Sequence, residues 1–238
     1  DCLVALPAIR AALVGWKASM QPPYPRNLIL RAHAADETGE NAAARPVTIL
    51  ATRRQETEIQ GGSLRMRLRR RDFRVDPRSF FQVNLPVASR LIGDLAERLP
   101  AASRLVDLFA GVGAFALSFA DRFSSIVGCE ISRSAVEDFR VNASGINGVE
   151  VVEWDAARGL KEALKPDDIV IVDPPRTGLP PRLTHDPAGA GPLRLAYVSC
   201  EASTFARDLA QLIAAGYRLS EPVRMYDMFP RTAHAELL

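Results

Sequence analysis

The chain has 238 residues, a length that suits one large domain, or one catalytic domain with a smaller attachment. Hydrophobic residues make up 47% and charged residues 24%, which excludes a disordered or collagen-like chain. No apolar run approaches the roughly 18 residues that a membrane helix needs, so we exclude a spanning protein and expect no membrane partner. The three cysteines, Cys2, Cys129 and Cys200, are too few for a disulfide scaffold and suit the reducing cytoplasm, where we expect the protein to act.

The net charge of +2 is unevenly distributed along the chain. Residues 53–78 contain nine Arg against four acidic residues, a strong local excess of positive charge. Alternation places Arg65, Arg67 and Arg69 on one face of a predicted strand. Such a row of arginines is either a solvated strand face or a stripe that contacts phosphates.

The first 80 residues predict a small, partly β domain. A helix is predicted over 3–17 and is followed by a Pro-rich break at 21–25. The stretches 27–33 and 46–52 alternate as short antiparallel strands do. Turns are predicted at 39–45 and at the glycine pair 61–62.

Residues 81–238 predict a second domain in which strands and helices alternate. The predicted helices cover 87–99, 114–122, 133–144 and 204–215. The predicted strands cover 105–109, 125–130, 149–153, 168–173 and 195–200, with further strands near 218–226 and 233–238. Short apolar runs between amphipathic helices indicate a buried, mostly parallel sheet, so the fold class is α/β and doubly wound.

A glycine turn follows the first strand of this domain and precedes an acid at the end of the second. Gly111 and Gly113 allow the backbone to approach a ligand closely, and Glu130 is able to accept hydrogen bonds from both hydroxyls of a ribose. A third glycine, usual for NAD, is missing, which favours S-adenosylmethionine as the cofactor. Asp155, after the third strand, either reads the adenine edge or is an exposed loop acid.

Two further residues are predicted at the carboxyl ends of neighbouring strands. Asp173 begins the segment Asp-Pro-Pro-Arg, and Cys200 follows the next parallel strand. Cys200 is either a nucleophile or a structural cysteine, whereas Cys129, inside a strand, suits a structural role. A helix predicted to begin near Ser203 and Thr204 would lower the pKa of the Cys200 thiol.

Glu236 lies in the last predicted strand. A carboxylate at that edge of the sheet is able to act as a general base. From the local sequence alone, however, Glu236 is predicted to be a surface acid.

Five segments occur in the order seen in RNA uridine-5-methyltransferases, and the chain resembles that family over about residues 79–238. They are SFFQVN (79–84), DLFAGVGAF (107–115), IVDPPRTGL (171–179), YVSCEASTFARDL (197–209) and DMFPRTAHAE (227–236). The resemblance implies a Rossmann-like S-adenosylmethionine methyltransferase domain over 81–238 and a small central, RNA-contacting domain, remnant or truncated, over 1–80.

The resemblance also implies roles for single residues. Cys200 would add to C6 of a uracil, and Glu236 would remove the C5 proton after methyl transfer. The residues implied to bind the cofactor are Gln82, Phe109, Glu130 and Asp173, with Gln82 and Asp173 near the target base as well. The arginines of 53–78 would hold the flanking phosphates.

The sequence departs from the family at its beginning. Many relatives carry an amino-terminal TRAM domain and four cysteines that hold an iron–sulfur cluster, and Cys2 resembles the last of the four. One cysteine cannot hold a 4Fe–4S cluster, so either upstream cysteines were cut away or lost, or Cys2 is a remnant. Cys2 indicates the branch that modifies 23S ribosomal RNA. We expect a monomer; the alternatives are the same chemistry on tRNA, and a non-catalytic RNA-binding relic.

Overall fold

The computed structural model describes residues 7–20, 25, 27–32, 47–53, 56–158, 164–185, 194–228, 232 and 235–238. It divides into two compact units, Asp1–Phe80 and Phe81–Leu238. The described residues of the first unit form one helix and five strands: α1 (Pro7–Ser19), β1 (Asn27–Ala32), β2 (Val47–Arg53), β3 (Glu56–Gln60), β4 (Leu64–Leu68) and β5 (Arg71–Val75). Strands β1, β2 and β3 pair antiparallel in that order, and β4 pairs antiparallel with β5. The turn predicted at 39–45 lies outside the described residues.

The second unit contains a five-stranded parallel sheet in the order β10-β9-β6-β7-β8. Its strands are β6 (Arg104–Leu108), β7 (Ser125–Glu130), β8 (Val149–Glu153), β9 (Ile169–Val172) and β10 (Arg194–Tyr197), followed by β11 (Met225–Tyr226) and β12 (Glu236–Leu237). Its helices are α2 (Leu85–Arg98), α3 (Ala114–Ser118), α4 (Arg133–Asn142), α5 (Pro181–His185) and α6 (Ala202–Ala214). The parallel sheet with helices between its strands confirms the predicted α/β fold class.

The core of the sheet consists of the apolar strand residues that the sequence pattern predicted. All four residues of β9 are buried, and Val106 and Leu108 of β6 lie in the same apolar cluster. Burying a side chain of this size stabilises the fold by roughly 1.5–3 kcal/mol. The order of the strands places the carboxyl ends of β6, β7, β9 and β10 at one edge of the sheet, called the carboxyl edge below.

Several predicted boundaries of helices and strands were wrong. The helix predicted over 114–122 ends at Ser118, because the chain tightens into turns in which the Arg122 amide donates to the Phe119 carbonyl at 2.9 Å. The helix predicted from 204 already begins at Ala202, with Glu201 as its N-cap. The strand predicted over 218–226 is reduced to the two residues of β11.

Candidate functional site

Four of the predicted site residues lie at the carboxyl edge. Phe109 follows β6, Glu130 is the last residue of β7, Asp173 follows β9, and Cys200 comes three residues after β10. The Asp173 amide donates to the Leu108 carbonyl at 3.4 Å, so the two neighbouring strand ends stay paired up to the edge. This is the place where open α/β sheets bind ligands.

Glu130 holds the glycine turn in place. One carboxylate oxygen accepts the Gly111 amide at 2.9 Å, and the other accepts the amides of Ile131 and Ser132 at 2.8 and 2.7 Å. Gly111 has a φ of 55°, and a Cβ added there would meet nothing within 4 Å. The turn is therefore open next to Glu130, and a carboxylate with about four acceptor positions keeps capacity for a further donor.

Gly113 has a different reason to be glycine than the approach of a ligand. A Cβ on Gly113 would collide with the ring of Phe139, and a Cβ on Gly128 in β7 would collide with the same ring. Phe139 of α4 is fully buried between them. Packing against Phe139 and a φ of 87° already require glycine at position 113. The presence of glycine there is therefore no evidence that a ligand approaches the backbone closely, as the sequence predicted.

Cys200 and Glu236 are brought together by a single antiparallel bridge. Ser199 and Leu237 exchange both backbone hydrogen bonds, at 3.0 and 2.8 Å. The bridge brings the residues next to it, Cys200 and Glu236, close enough for the charge of Glu236 to act on the Cys200 thiol. The bridge also explains why the strand predicted over 195–200 ends early, since Ser199 leaves β9 and pairs with Leu237 instead.

Glu236 is buried, with 4% of its surface exposed, so its prediction as a surface acid from the local sequence was wrong. Its Oε2 atom has no hydrogen-bond partner among the described residues. Burial raises the pKa of Glu236 to about 7, which makes this carboxylate able to hold or release a proton near neutral pH.

Asp173 and Cys200 lie within the electric field of this carboxylate. Burial, followed by the charges of Glu236 and Asp107, raises the pKa of Asp173 well above its usual range. Burial, followed by Glu236 and Asp173, also raises the pKa of the partly exposed Cys200 thiol. The expected lowering by the start of α6 is wrong in direction, because desolvation and two carboxylates outweigh it.

The comparisons with known proteins show the family to which this chain belongs. The model of the family described as tRNA (Uracil-5-)-methyltransferase matches residues 55–237. The chain belongs to this family. A tRNA (uracil(54)-C(5))-methyltransferase of Pyrococcus abyssi is 39% identical over 175 residues, which cover 74% of this chain and 42% of that protein. An uncharacterized RNA methyltransferase of Caldanaerobacter subterraneus is 40% identical over 174 residues, covering 69% and 38%.

Among solved structures, the chain is similar to the Pyrococcus abyssi tRNA (uracil-54, C5)-methyltransferase in complex with S-adenosyl-L-homocysteine. The TM-score is 0.66 with 34% identity, and the match covers 77% of this chain and 45% of that one. The chain thus spans about two fifths of the length of the curated relatives it matches. Membership of the family is shown for residues 55–237, the part that carries Cys200 and Glu236.

Two residues that the sequence analysis did not single out act through their charges on Cys200 and Asp173. Arg176 is exposed, and its charge lowers the pKa of Cys200, against the effect of the carboxylates. Asp107 is fully buried, accepts the Ala116 amide at 2.9 Å, and has its pKa raised to about 7 by burial. Both lie inside the segments that carried the resemblance, and that position was the available signal.

Gln82 and Asp155 are placed differently. Gln82 is buried, and its Oε1 atom has no hydrogen-bond partner within the part of the chain that the structure describes. Asp155 is partly exposed, accepts the Ala157 amide at 2.9 Å and lies 3.6 Å from Arg158. Its two interpretations, adenine contact and loop acid, both stay open.

The first unit carries a separate cationic feature, the hairpin Leu64–Val75. Its inner residues are buried, and on the outer face Arg65 stands directly opposite Arg74. Arg67 forms two hydrogen bonds of 2.7 and 2.8 Å with Asp72. The prediction for Arg69 was wrong: its φ of 55° places it in the turn between the strands, outside the row.

The described residues hold neither a metal-ligating cluster nor a membrane-spanning helix. They contain no group of three His, Cys, Asp or Glu side chains able to hold a metal ion. Cys2, the predicted iron–sulfur remnant, lies outside them. None of their helices is both long and apolar enough to span a bilayer.

Proposed function

We propose that this protein transfers a methyl group from S-adenosylmethionine to C5 of a uridine in RNA. The observation that carries the proposal is the Ser199–Leu237 bridge, which sets a thiol and a buried carboxylate on neighbouring positions beside Asp173. Membership of the family supports the same reaction. The names of the relatives describe proteins of which this chain spans about two fifths, so activity, substrate and cofactor are proposed here.

The first step is addition of the Cys200 thiolate to C6 of uracil, which forms a C–S bond and moves negative charge onto the pyrimidine. Burial, followed by the charges of Glu236 and Asp173, raises the pKa of Cys200, so the thiolate is disfavoured in the free protein. Addition transfers that charge away from the carboxylates, and this relief assists the step. Arg176 acts in the opposite direction to the two carboxylates, because its positive charge favours the thiolate form of Cys200.

The remaining steps methylate C5 and then restore the double bond between C5 and C6. When bound, S-adenosylmethionine would supply an electrophilic methyl group: C5 of the adduct would form the new C–C bond as the bond between sulfur and the methyl group breaks, which leaves S-adenosylhomocysteine. Glu236 then takes the C5 proton, and the C–S bond breaks to release Cys200 and 5-methyluracil. A pKa of about 7 suits this work, because a general base is most effective when its pKa is near the operating pH.

The residues proposed to hold S-adenosylmethionine fit a polar ligand. Glu130 keeps acceptor capacity for one ribose hydroxyl beside the open turn at Gly111, and Phe109 follows the strand that leads into this turn. Gln82 offers a buried polar atom, Oε1, which has no hydrogen-bond partner among the described residues, and Asp173 offers a partly exposed carboxylate. Asp155 is proposed for the adenine edge, with the loop-acid alternative open.

The RNA would be held through its phosphates. Arg65 and Arg74 share the outer face of the hairpin Leu64–Val75, where like charges opposite one another favour an anionic partner. The target uracil must leave its stack to reach Cys200. We propose that the protein acts as a monomer in the cytoplasm, and that it carries a 4Fe–4S cluster only if further cysteines precede Cys2.

The target RNA is a finer proposal with two alternatives. The family resemblance of Cys2 favours 23S ribosomal RNA, whereas the relative named for uracil 54 favours tRNA. Incubation of tritiated S-adenosylmethionine with total tRNA or with large-subunit ribosomal RNA, followed by nuclease mapping of the labelled nucleotide, separates the two.

The test of the reaction itself uses RNA transcripts that contain 5-fluorouridine. Fluorine at C5 cannot leave as a proton does, so a working enzyme stalls as a covalent complex that survives a denaturing gel. We expect a shifted band with the unaltered chain and with Cys129→Ala, since Cys129 is buried in β7, and none with Cys200→Ala. Absence of the band with every RNA, while S-adenosylhomocysteine binds, would support the non-catalytic relic instead.

A further inference from the structure

Asp208 of α6 is a fully buried acid that the reaction described above does not use. Its Oδ2 atom accepts the Leu179 amide at 2.6 Å and the Tyr197 hydroxyl at 2.8 Å. Its Oδ1 atom accepts two hydrogen bonds from Arg207, at 2.8 and 2.7 Å. One carboxylate thus receives four hydrogen bonds from three different segments of the chain.

Two of these segments lead directly to the reactive residues. Tyr197 is the last residue of β10, three positions before Cys200. Leu179 closes the loop that begins at Asp173 and contains Arg176. The Asp208 carboxylate therefore links two parts of the chain. One is β10, which leads to Cys200, and the other is the loop with Asp173 and Arg176, whose charges act on the pKa of Cys200.

The loop is packed tightly onto Asp208. Gly178 has a φ of 81°, and a Cβ there would collide with Asp208 Oδ2 and with the guanidinium of Arg207. Arg207 also donates to the Thr177 carbonyl at 2.8 Å. The end of the loop is consequently fixed from both sides, by the buried carboxylate and by the arginine that neutralises it.

We propose that Asp208 is a positioning residue, which sets the distance of Asp173 and Arg176 from Cys200. It touches neither substrate nor cofactor and acts through Leu179 and Tyr197. This inference rests on the proposed function for its catalytic consequence, but the placement of Cys200 in the free protein follows from it without any RNA.

Asp168 provides a matched control. It is equally buried, and it also accepts a backbone amide, from Lys165 at 2.7 Å, and an arginine, Arg104 at 3.3 Å. It precedes β9 and so lies at the opposite edge of the sheet from Cys200. Asp168→Asn and Asp208→Asn both remove a buried, arginine-paired charge, and only the second should change the site.

The test measures alkylation of Cys200 by iodoacetamide between pH 7 and 10, by mass spectrometry, in a Cys2→Ser background. Release of the loop exposes the thiol and lowers its pKa, so Asp208→Asn should be alkylated at least about threefold faster at pH 8. Asp168→Asn should match the unaltered chain. In single-turnover methylation, Asp208→Asn should lose roughly 10- to 100-fold in rate, with S-adenosylhomocysteine affinity within about twofold.

Tyr197→Phe serves if Asp208→Asn does not fold, because it removes one donor and keeps the ring that packs 5.0 Å from Phe205. It should change alkylation in the same direction by a smaller factor. Equal alkylation profiles in Tyr197→Phe, Asp168→Asn and the unaltered chain would overturn the proposal. A changed profile without any methyl transfer by the unaltered chain would uphold the positioning role and reject the proposed reaction.

Discussion

Acidic side chains have opposite properties in two regions of this molecule. In the hairpin and the residues after it, hydrogen bonds from Arg67 and Arg78 lower the pKa values of Asp72 and Asp76, respectively. At the carboxyl edge, burial raises the pKa values of Asp107 and Glu236 to about 7. Arginine partners thus make the first pair permanent counter-ions, whereas burial without such a partner makes the second pair able to exchange protons at neutral pH.

The largest effect is expected from removing the charge of one buried acid. Glu236→Gln cannot accept the C5 proton, so elimination of Cys200 should stop and a covalent, methylated RNA adduct should accumulate on a denaturing gel. Turnover should fall roughly 10²- to 10⁴-fold. Glu221→Gln, an exposed acid of the same type, is the control and should leave turnover unchanged. Clean product release by Glu236→Gln would contradict its role as base.

A second prediction contrasts the pH dependence of the two regions. Asp107 and Glu236 keep their protons in the folded protein up to about pH 7, whereas in the unfolded chain they lose them near their usual values of about 4. Their stabilising contribution is therefore complete below about pH 4 and is lost as pH rises through about 7. For Asp72 and Asp76 the sign is reversed: stability is present above about pH 4 and is lost only as pH falls through their lowered pKa values.

The two tryptophans allow the regions to be measured separately. Trp16 is buried beside Ile49 in the first unit, and Trp154 packs against the core of the second. In Trp16→Phe, the free energy of unfolding reported by Trp154 should fall by at least about 1 kcal/mol from pH 5 to pH 8. In Trp154→Phe, the value reported by Trp16 should stay nearly constant. Asp107→Asn, introduced into Trp16→Phe, should make the free energy of unfolding reported by Trp154 depend less on pH. An unchanged pH dependence would show that the buried acids do not cause it.

The smallest effect is expected from the hairpin. Arg65→Ala or Arg74→Ala should change the free energy of unfolding by no more than about 0.5 kcal/mol, because both lie on its outer face. RNA affinity, measured by filter binding over a range of salt concentrations, should fall and show a shallower salt dependence. Arg10→Ala, an exposed arginine of α1, is the control. Identical salt slopes in all these variants would argue against the hairpin as a phosphate-binding surface.

The sequence predicted the parallel sheet well because its signals are local. Strands 125–130 and 149–153 begin and end where they were predicted, since each is a short apolar run between turns. The same pattern placed Phe109, Glu130 and Asp173 at the carboxyl edge. Parallel strands in an alternating α/β chain leave little freedom for the position of their ends.

The predictions that failed concern features that depend on contacts between distant parts of the chain. No local pattern reveals that Leu237 pairs with Ser199, so neither the burial of Glu236 nor the raised pKa of Cys200 followed from the residues around them. Only the resemblance to a family gave Glu236 a role. Asp208 was missed for the same reason, since its four hydrogen bonds come from segments that are brought together only by folding.

Phe139 restricts which residues are tolerated at positions 113 and 128. Its ring occupies the volume that side chains at Gly113 and Gly128 would need, so a larger residue at position 128 requires a smaller one at position 139. A lineage that acquires alanine at 128 must first, or at the same time, accept a smaller residue at 139. Gly113 would remain restricted even then, because its φ of 87° disfavours any other residue. An aromatic residue at position 139 therefore predicts glycine at 128 in any chain that packs this sheet in the same way.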